Sequence, residues 1–176
     1  MTEISKNILL ISGSGRNIGK TSFIRRVIAQ NADKKPVAIK ITPHFHEPTD
    51  GLVAVSINDG FRVYQETNNS SDKDSSLFLQ AGAEKVFYIQ TSDLYLNEAF
   101  SYIANLLSAQ QPVIVESAAL RKYIVPGLYI FIQKKDEDTK QSALEMQKLA
   151  DRSIDSESGQ FSIDPALLTF NQTWKL

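Results

Sequence analysis

The chain has no cysteine, so it has neither a disulfide framework nor a thiolate metal site. Histidine is nearly as scarce, with two residues. Charge of either sign is not in excess: 19 Lys and Arg stand against 20 Asp and Glu, for a net charge of −1. No basic field is therefore available to draw in nucleic acid. Long apolar runs are missing too, and none approaches the roughly 20 residues a membrane-crossing helix needs. Residues 1–7 lack the basic region, apolar stretch and small-residue cleavage site of a secretory leader, and the run Ile8 to Ile11 is too short to supply one. These absences predict a soluble, cytoplasmic protein with no nucleic-acid and no membrane partner. A length of 176 residues with 42% hydrophobic content suits one domain over residues 1–176, with an insertion at about 51–76.

Ile8 to Ser12 is an apolar run closed by glycines, which reads as a strand buried on both faces. Beyond Lys20, Phe23, Ile24, Val27 and Ile28 recur at helical spacing, and that helix is expected to end near Asn31. Pro36 to Thr42 reads as the next strand, so residues 7–42 form a βαβ unit. Two alternating runs, 52–57 and 61–65, flank Asn58-Asp59-Gly60 and predict a hairpin inserted beside the parallel core. The polar stretch 68–76 reads as a loop, either a solvated connection or a lid. A helix is then expected at 76–83, a strand at 85–90, a helix at 94–110, strands at 112–116 and 128–132, and a helix at 139–150. Residues 152–155 read as a strand, and 165–170 as a short helix or strand. The alternation predicts an α/β fold, a mostly parallel sheet with helices on both faces.

The chemistry concentrates in Gly13, Ser14, Gly15, Arg16, Asn17, Ile18, Gly19, Lys20, Thr21 and Ser22. One reading is a phosphate-binding loop. Glycines let successive backbone N–H groups turn toward phosphate oxygens, and the following helix adds its amino-terminal dipole. Lys20 would reach the β- and γ-phosphates and Thr21 would ligate Mg²⁺. The competing reading is a dinucleotide turn, since Gly13, Gly15 and Gly19 are spaced G-x-G-x-x-x-G. That turn normally precedes an acidic residue at the end of the second strand, where this chain has Lys40. A dinucleotide turn has no use for Lys20 and Thr21 together, whereas a phosphate loop needs both. The spacing from Gly13 to Gly19 is one residue longer than the usual G-x-x-x-x-G-K-[ST], with Ser14 where glycine is common.

Three further positions join this set. Glu116 closes the apolar run 112–116, and a carboxylate at a strand end holds Mg²⁺ or its waters in phosphate-loop enzymes. Lys40 interrupts the apolar strand Val37 to Ile41. An ammonium buried there needs a phosphate, a carboxylate or the ligand-binding edge of the sheet. His44, His46, Glu47 and Asp50 follow; they read as polar loop residues near phosphates, with Asp50 a candidate second Mg²⁺ contact and a transition-metal site as the other reading. Lys20 and Lys40 are the candidate catalytic residues.

Taken in order, the glycine-rich loop, Val37-Ala-Ile-Lys40 with its histidines and Asp50, Asp74-Ser75, Gln80-Ala-Gly-Ala83 and Val113-Ile-Val-Glu116 resemble the molybdopterin-guanine dinucleotide biosynthesis protein B family. These pieces span roughly the first two-thirds of the chain. The resemblance implies a P-loop NTPase three-layer fold that binds GTP with Mg²⁺ as a homodimer. It also implies a protein partner in the molybdopterin pathway and support for attachment of GMP to molybdopterin. The longer loop resembles that of dethiobiotin synthetases, which would imply ATP and a small-molecule ligase or kinase reaction. A third reading is a nucleotide-switched adapter that docks through the hairpin and the polar loop. Gln133-Lys-Lys-Asp136 resembles the [N/T]-K-x-D guanine motif of GTPases, with Asp136 accepting from the base; the alternative there is a solvated turn.

Overall fold

The computed structural model describes residues 4–176; residues 1–3, part of the stretch inspected for a leader, lie outside it. Eleven strands and four α-helices follow one another along the described chain. β1 (Ile4–Gly13) leads through a glycine-rich loop to α1 (Lys20–Gln30) and β2 (Val37–Thr42). The hairpin β3 (Leu52–Ile57) and β4 (Phe61–Glu66) comes next, then α2 (Asp74–Gln80) and β5 (Lys85–Thr91). α3 (Leu96–Ala104), β6 (Val113–Glu116), β7 (Val125–Lys134), α4 (Gln141–Lys148) and β8 (Arg152–Glu157) complete the alternation. The chain ends with β9 (Gln160–Phe161), β10 (Thr169–Asn171) and β11 (Thr173–Lys175).

One nine-stranded sheet has the order β3-β4-β5-β2-β6-β1-β7-β8-β9. Its six central strands, β5 to β8 in that order, run parallel. β4 and β3 extend one edge antiparallel and β9 the other. The expected hairpin is therefore no separate excursion; it continues the main sheet.

Continuous apolar runs form the central strands because both faces are covered. Leu9, Ile11, Ala38, Val86 and Ile114 pack against Phe23, Ile24, Val27 and Ile28 of α1 and Phe78 of α2. Their sequence neighbours Ile8, Leu10, Ile39, Phe87 and Val115 point the other way, onto Leu96, Ala99, Phe100 and Ile103 of α3 and Met146 of α4. Two helices thus cover each face.

Several boundaries differ from the sequence reading. The helix expected at 94–110 ends at Ala104, with Asn105 as its cap. Leu106 is exposed and Leu107 only partly buried, so the apolar pattern continued past the point where the sheet could cover it. α2 begins at Asp74, inside the polar stretch, because Ser75 and Ser76 are buried and the Ser75 hydroxyl donates to Glu66 Oε2 at 2.6 Å. β7 starts at Val125 rather than 128. Gly127 lies so close to the Lys6 carbonyl that a Cβ would collide with it.

Candidate functional site

β1 and β6 are neighbours, yet they leave the sheet in opposite directions. β1 turns to α1 on one face, while the segment after β6 packs Leu120 into the opposite core. Adjacent strands that diverge in this way open a crevice at their carboxyl ends, where ligands of open α/β sheets bind. The glycine-rich loop and Glu116 both lie there.

The loop's shape follows from its sequence. Gly13 is in register with Ile132 of β7, and a Cβ on it would meet the Ile132 carbonyl oxygen at 2.6 Å and collide with the Ile18 side chain. Ser14 N donates to that carbonyl at 2.9 Å. Ile18 is buried and plugs the loop from within. Asn17 (φ 56°) and Gly19 (φ 92°) take left-handed conformations that turn the chain into α1, a geometry glycine adopts without steric cost. No side chain caps the amino end of α1, and its first turn holds no acidic residue. The N–H groups there have no intrahelical acceptor, so this end of the helix suits an anion. Lys20 folds back over the loop and donates from Nζ to the Gly15 carbonyl at 2.5 Å. Burial pulls its ammonium below the ordinary lysine value of 10.5, and nearby Lys40 adds to that, against the opposing pull of Glu116.

Glu116, Lys40 and Tyr88 are register partners on β6, β2 and β5. Lys40 Nζ donates to Glu116 Oε2 at 3.0 Å and also to Asp74 at the start of α2. Burial works against the Lys40 ammonium, but Glu116 and Asp74 outweigh it and hold the group above 10.5. The lysine that interrupts an apolar strand has therefore found carboxylates. Arg16 Nη2 meets His44 Nε2 at 3.0 Å, tying the loop to the segment after β2.

Two cavities flank the loop. One, of ≈ 680 Å³, is bordered by Gly19, Lys20, Thr21, Ser22, Asp74 and Glu116. The other, of ≈ 860 Å³, reaches from Gly13, Ser14 and Gly15 across to α4. Arg16, Asn17, Lys20 and Lys40 border both, and Ile18 borders the larger. Asp50 is exposed and borders neither cavity. Asp136 is also exposed, in a turn at φ 60°, and borders neither, although its neighbours Lys134 and Glu137 line the larger. The carboxylate found beside Lys40 is instead Asp74, whose only sequence signal was the Asp74-Ser75 piece of the family resemblance.

His44 and His46 are exposed, with ring centroids 6.1 Å apart. Among the described residues no three His, Asp or Glu side chains gather as a metal site, and no helix is long and apolar enough to cross a membrane. Mg²⁺ bound along with phosphates needs only one or two protein oxygens. Thr21 and Glu116, which border the smaller cavity, are of that type. Family models, curated proteins and solved structures yield no match to the chain.

Proposed function

We propose that the chain binds a Mg²⁺-nucleoside triphosphate, with GTP favoured, at residues 13–22. The observation that carries this reading is the convergence of Lys20 and the uncapped amino end of α1 on one cavity. Lys20 would exchange the Gly15 carbonyl for phosphate oxygens, and the phosphate charge would offset the burial that depresses its ammonium. Mg²⁺ would supply charge neutralisation between the phosphates, with Thr21 and Glu116 as its protein contacts. Lys40 holds Glu116 and Asp74 in place at the rim.

On this reading the protein is a nucleotide-binding member of the molybdopterin-guanine pathway, a weak GTPase assembled as a homodimer with a pathway partner. A second reading, an ATP-dependent kinase or ligase similar to dethiobiotin synthetase, is favoured by the additional cavity that opens beside Asp74. Calorimetric titration with GTP, ATP and Mg²⁺ tests triphosphate binding, and a substrate-dependent burst of ADP or GDP release separates the second reading from the first.

A further inference from the structure

Arg16 lies in the loop after β1 and His44 in the segment after β2, and both side chains are exposed. β6, which ends at Glu116, runs between those two strands. Neighbouring strands are spaced about 4.8 Å apart, so the ends of β1 and β2 are separated by about 10 Å, a gap that only long side chains close. The contact of Arg16 Nη2 with His44 Nε2 at 3.0 Å closes it. Both residues border the ≈ 680 Å³ cavity and the ≈ 860 Å³ cavity. Their contact therefore divides one cleft into two halves at the strand end that carries Glu116.

The chemistry of this contact makes it easy to displace. A guanidinium only donates, so His44 Nε2 accepts and the imidazole proton sits on Nδ1. Among the described residues no carboxylate pairs with Arg16. A hydrogen bond of this kind contributes about 0.5–1.5 kcal/mol. Guanidinium bonds to phosphate are bidentate, with charge on both sides, and are roughly twice as strong, so a polyphosphate outcompetes the imidazole. The segment around His44 is free to respond. Residues 43–50 are all exposed and form neither helix nor strand. Their ties to the sheet are the bond from Gln90 Nε2 to the His46 carbonyl at 3.0 Å and Arg62, whose guanidinium carbon lies 5.6 Å from the Phe45 ring centroid. These hold residues 45–46 and leave the His44 side chain tied to the loop by Arg16 alone.

We propose that the Arg16–His44 contact is a gate across the nucleotide cleft. It is shut in the empty protein and opens when Arg16 turns from His44 to phosphate oxygens, which joins the two cavities. The gate rests on the phosphate reading of residues 13–22 and adds a regulation of that site. Opening it costs the resting contact, so the gate lowers the affinity for polyphosphate. Arg16 acts with two opposite signs, as latch and as phosphate contact, whereas His44 acts only as the catch.

The test uses the full chain at about pH 8, above the ordinary histidine value of about 6.5, with inorganic tripolyphosphate and Mg²⁺ as the probe. Side-chain ¹⁵N shifts report the tautomer of His44, and His46, the other histidine of the chain, serves as the reference. His44 should be mainly the Nδ1–H tautomer in the empty protein. It should lose that signature in Arg16→Ala, and equally in the wild type saturated with tripolyphosphate. In calorimetric titration His44→Ala should bind tripolyphosphate about two- to ten-fold more tightly than the wild type, the resting contact being lost. Arg16→Ala should bind it more weakly. Both side chains are exposed, so both variants should keep the wild-type melting temperature. A His44 tautomer that ignores both Arg16→Ala and tripolyphosphate, or an affinity in His44→Ala equal to or weaker than wild type, overturns the gate. The two readings fail differently. Tripolyphosphate and GTP binding to none of the three proteins overturns the phosphate reading and the gate together; binding to the wild type with no gain in His44→Ala overturns the gate alone.

Discussion

Lys40 reaches Glu116 at 3.0 Å from the next strand of a parallel ladder in which the two residues are register partners. The ion pair is therefore set by the sheet and not by flexible loops. Its strength is open to a double-mutant cycle. Lys40→Met and Glu116→Gln should each destabilise the chain, and the pair should show a coupling of about 1–2 kcal/mol in denaturant unfolding. Asp74 shares the ammonium and its side chain is 38% exposed, so its own coupling to Lys40 should be smaller.

The two lysines should titrate on opposite sides of 10.5. Lys40 is held above that value by its carboxylates and Lys20 lies below it through burial. Lys40's contribution to stability is fully present below 10.5 and is lost as pH rises through its higher folded value. Lys20 has the opposite sign: stability rises with pH between its lowered folded value and 10.5. Side-chain NMR titration of the two ammonium groups checks the order, and Lys40→Met should reduce the alkaline fall in the unfolding midpoint without abolishing it, because burial also raises the Tyr88 and Tyr129 hydroxyls.

Gly19 and Gly15 should respond differently to alanine. Gly19 has φ 92°, and a Cβ there would lie 3.2 Å from the Phe161 ring. Gly19→Ala should cost about 1–2 kcal/mol in unfolding free energy. A Cβ on Gly15 meets nothing within 4 Å, so Gly15→Ala should leave the melting temperature nearly unchanged. If the loop cradles phosphates, the same change should still weaken triphosphate binding by crowding the backbone approach.

Asn31 joins the carboxyl-terminal segment to α1. It is fully buried, donates to Val27 O and Leu168 O, and accepts from Phe170 N at 3.0 Å. Asn31→Ala would leave the Phe170 N–H and the Leu168 carbonyl without these partners. A loss of about 2–4 kcal/mol is expected in denaturant unfolding.

Much of the fold was legible because its central strands are buried on both faces. Val113 to Val115 and Leu9 to Ile11 are apolar without interruption, and the Asn58-Asp-Gly60 turn announced its hairpin. The loop drew attention through its glycines and the Lys20-Thr21 pair, and Glu116 by closing an apolar run; the structure brings Lys20, Thr21 and Glu116 to the border of one cavity. Asp74 was not recognised as the partner of Lys40, since 34 residues separate them and only the sheet brings them together. Asp50 was the nearer carboxylate in sequence and lies elsewhere in space. Asn31 read as a helix end, and its bonds to residues near 170 could not be anticipated from local pattern.

The central claim is that residues 13–22 hold a triphosphate through Lys20 and the amino end of α1. Titration calorimetry of the intact chain with GTP and ATP in the presence of Mg²⁺, repeated with Lys20→Ala, tests it most directly. The account predicts saturable binding that Lys20→Ala weakens about ten- to a hundred-fold, the loss of a charged hydrogen bond, with far less effect on the nucleoside. No heat of binding from either triphosphate at millimolar concentration, or equal affinity in Lys20→Ala, would contradict it.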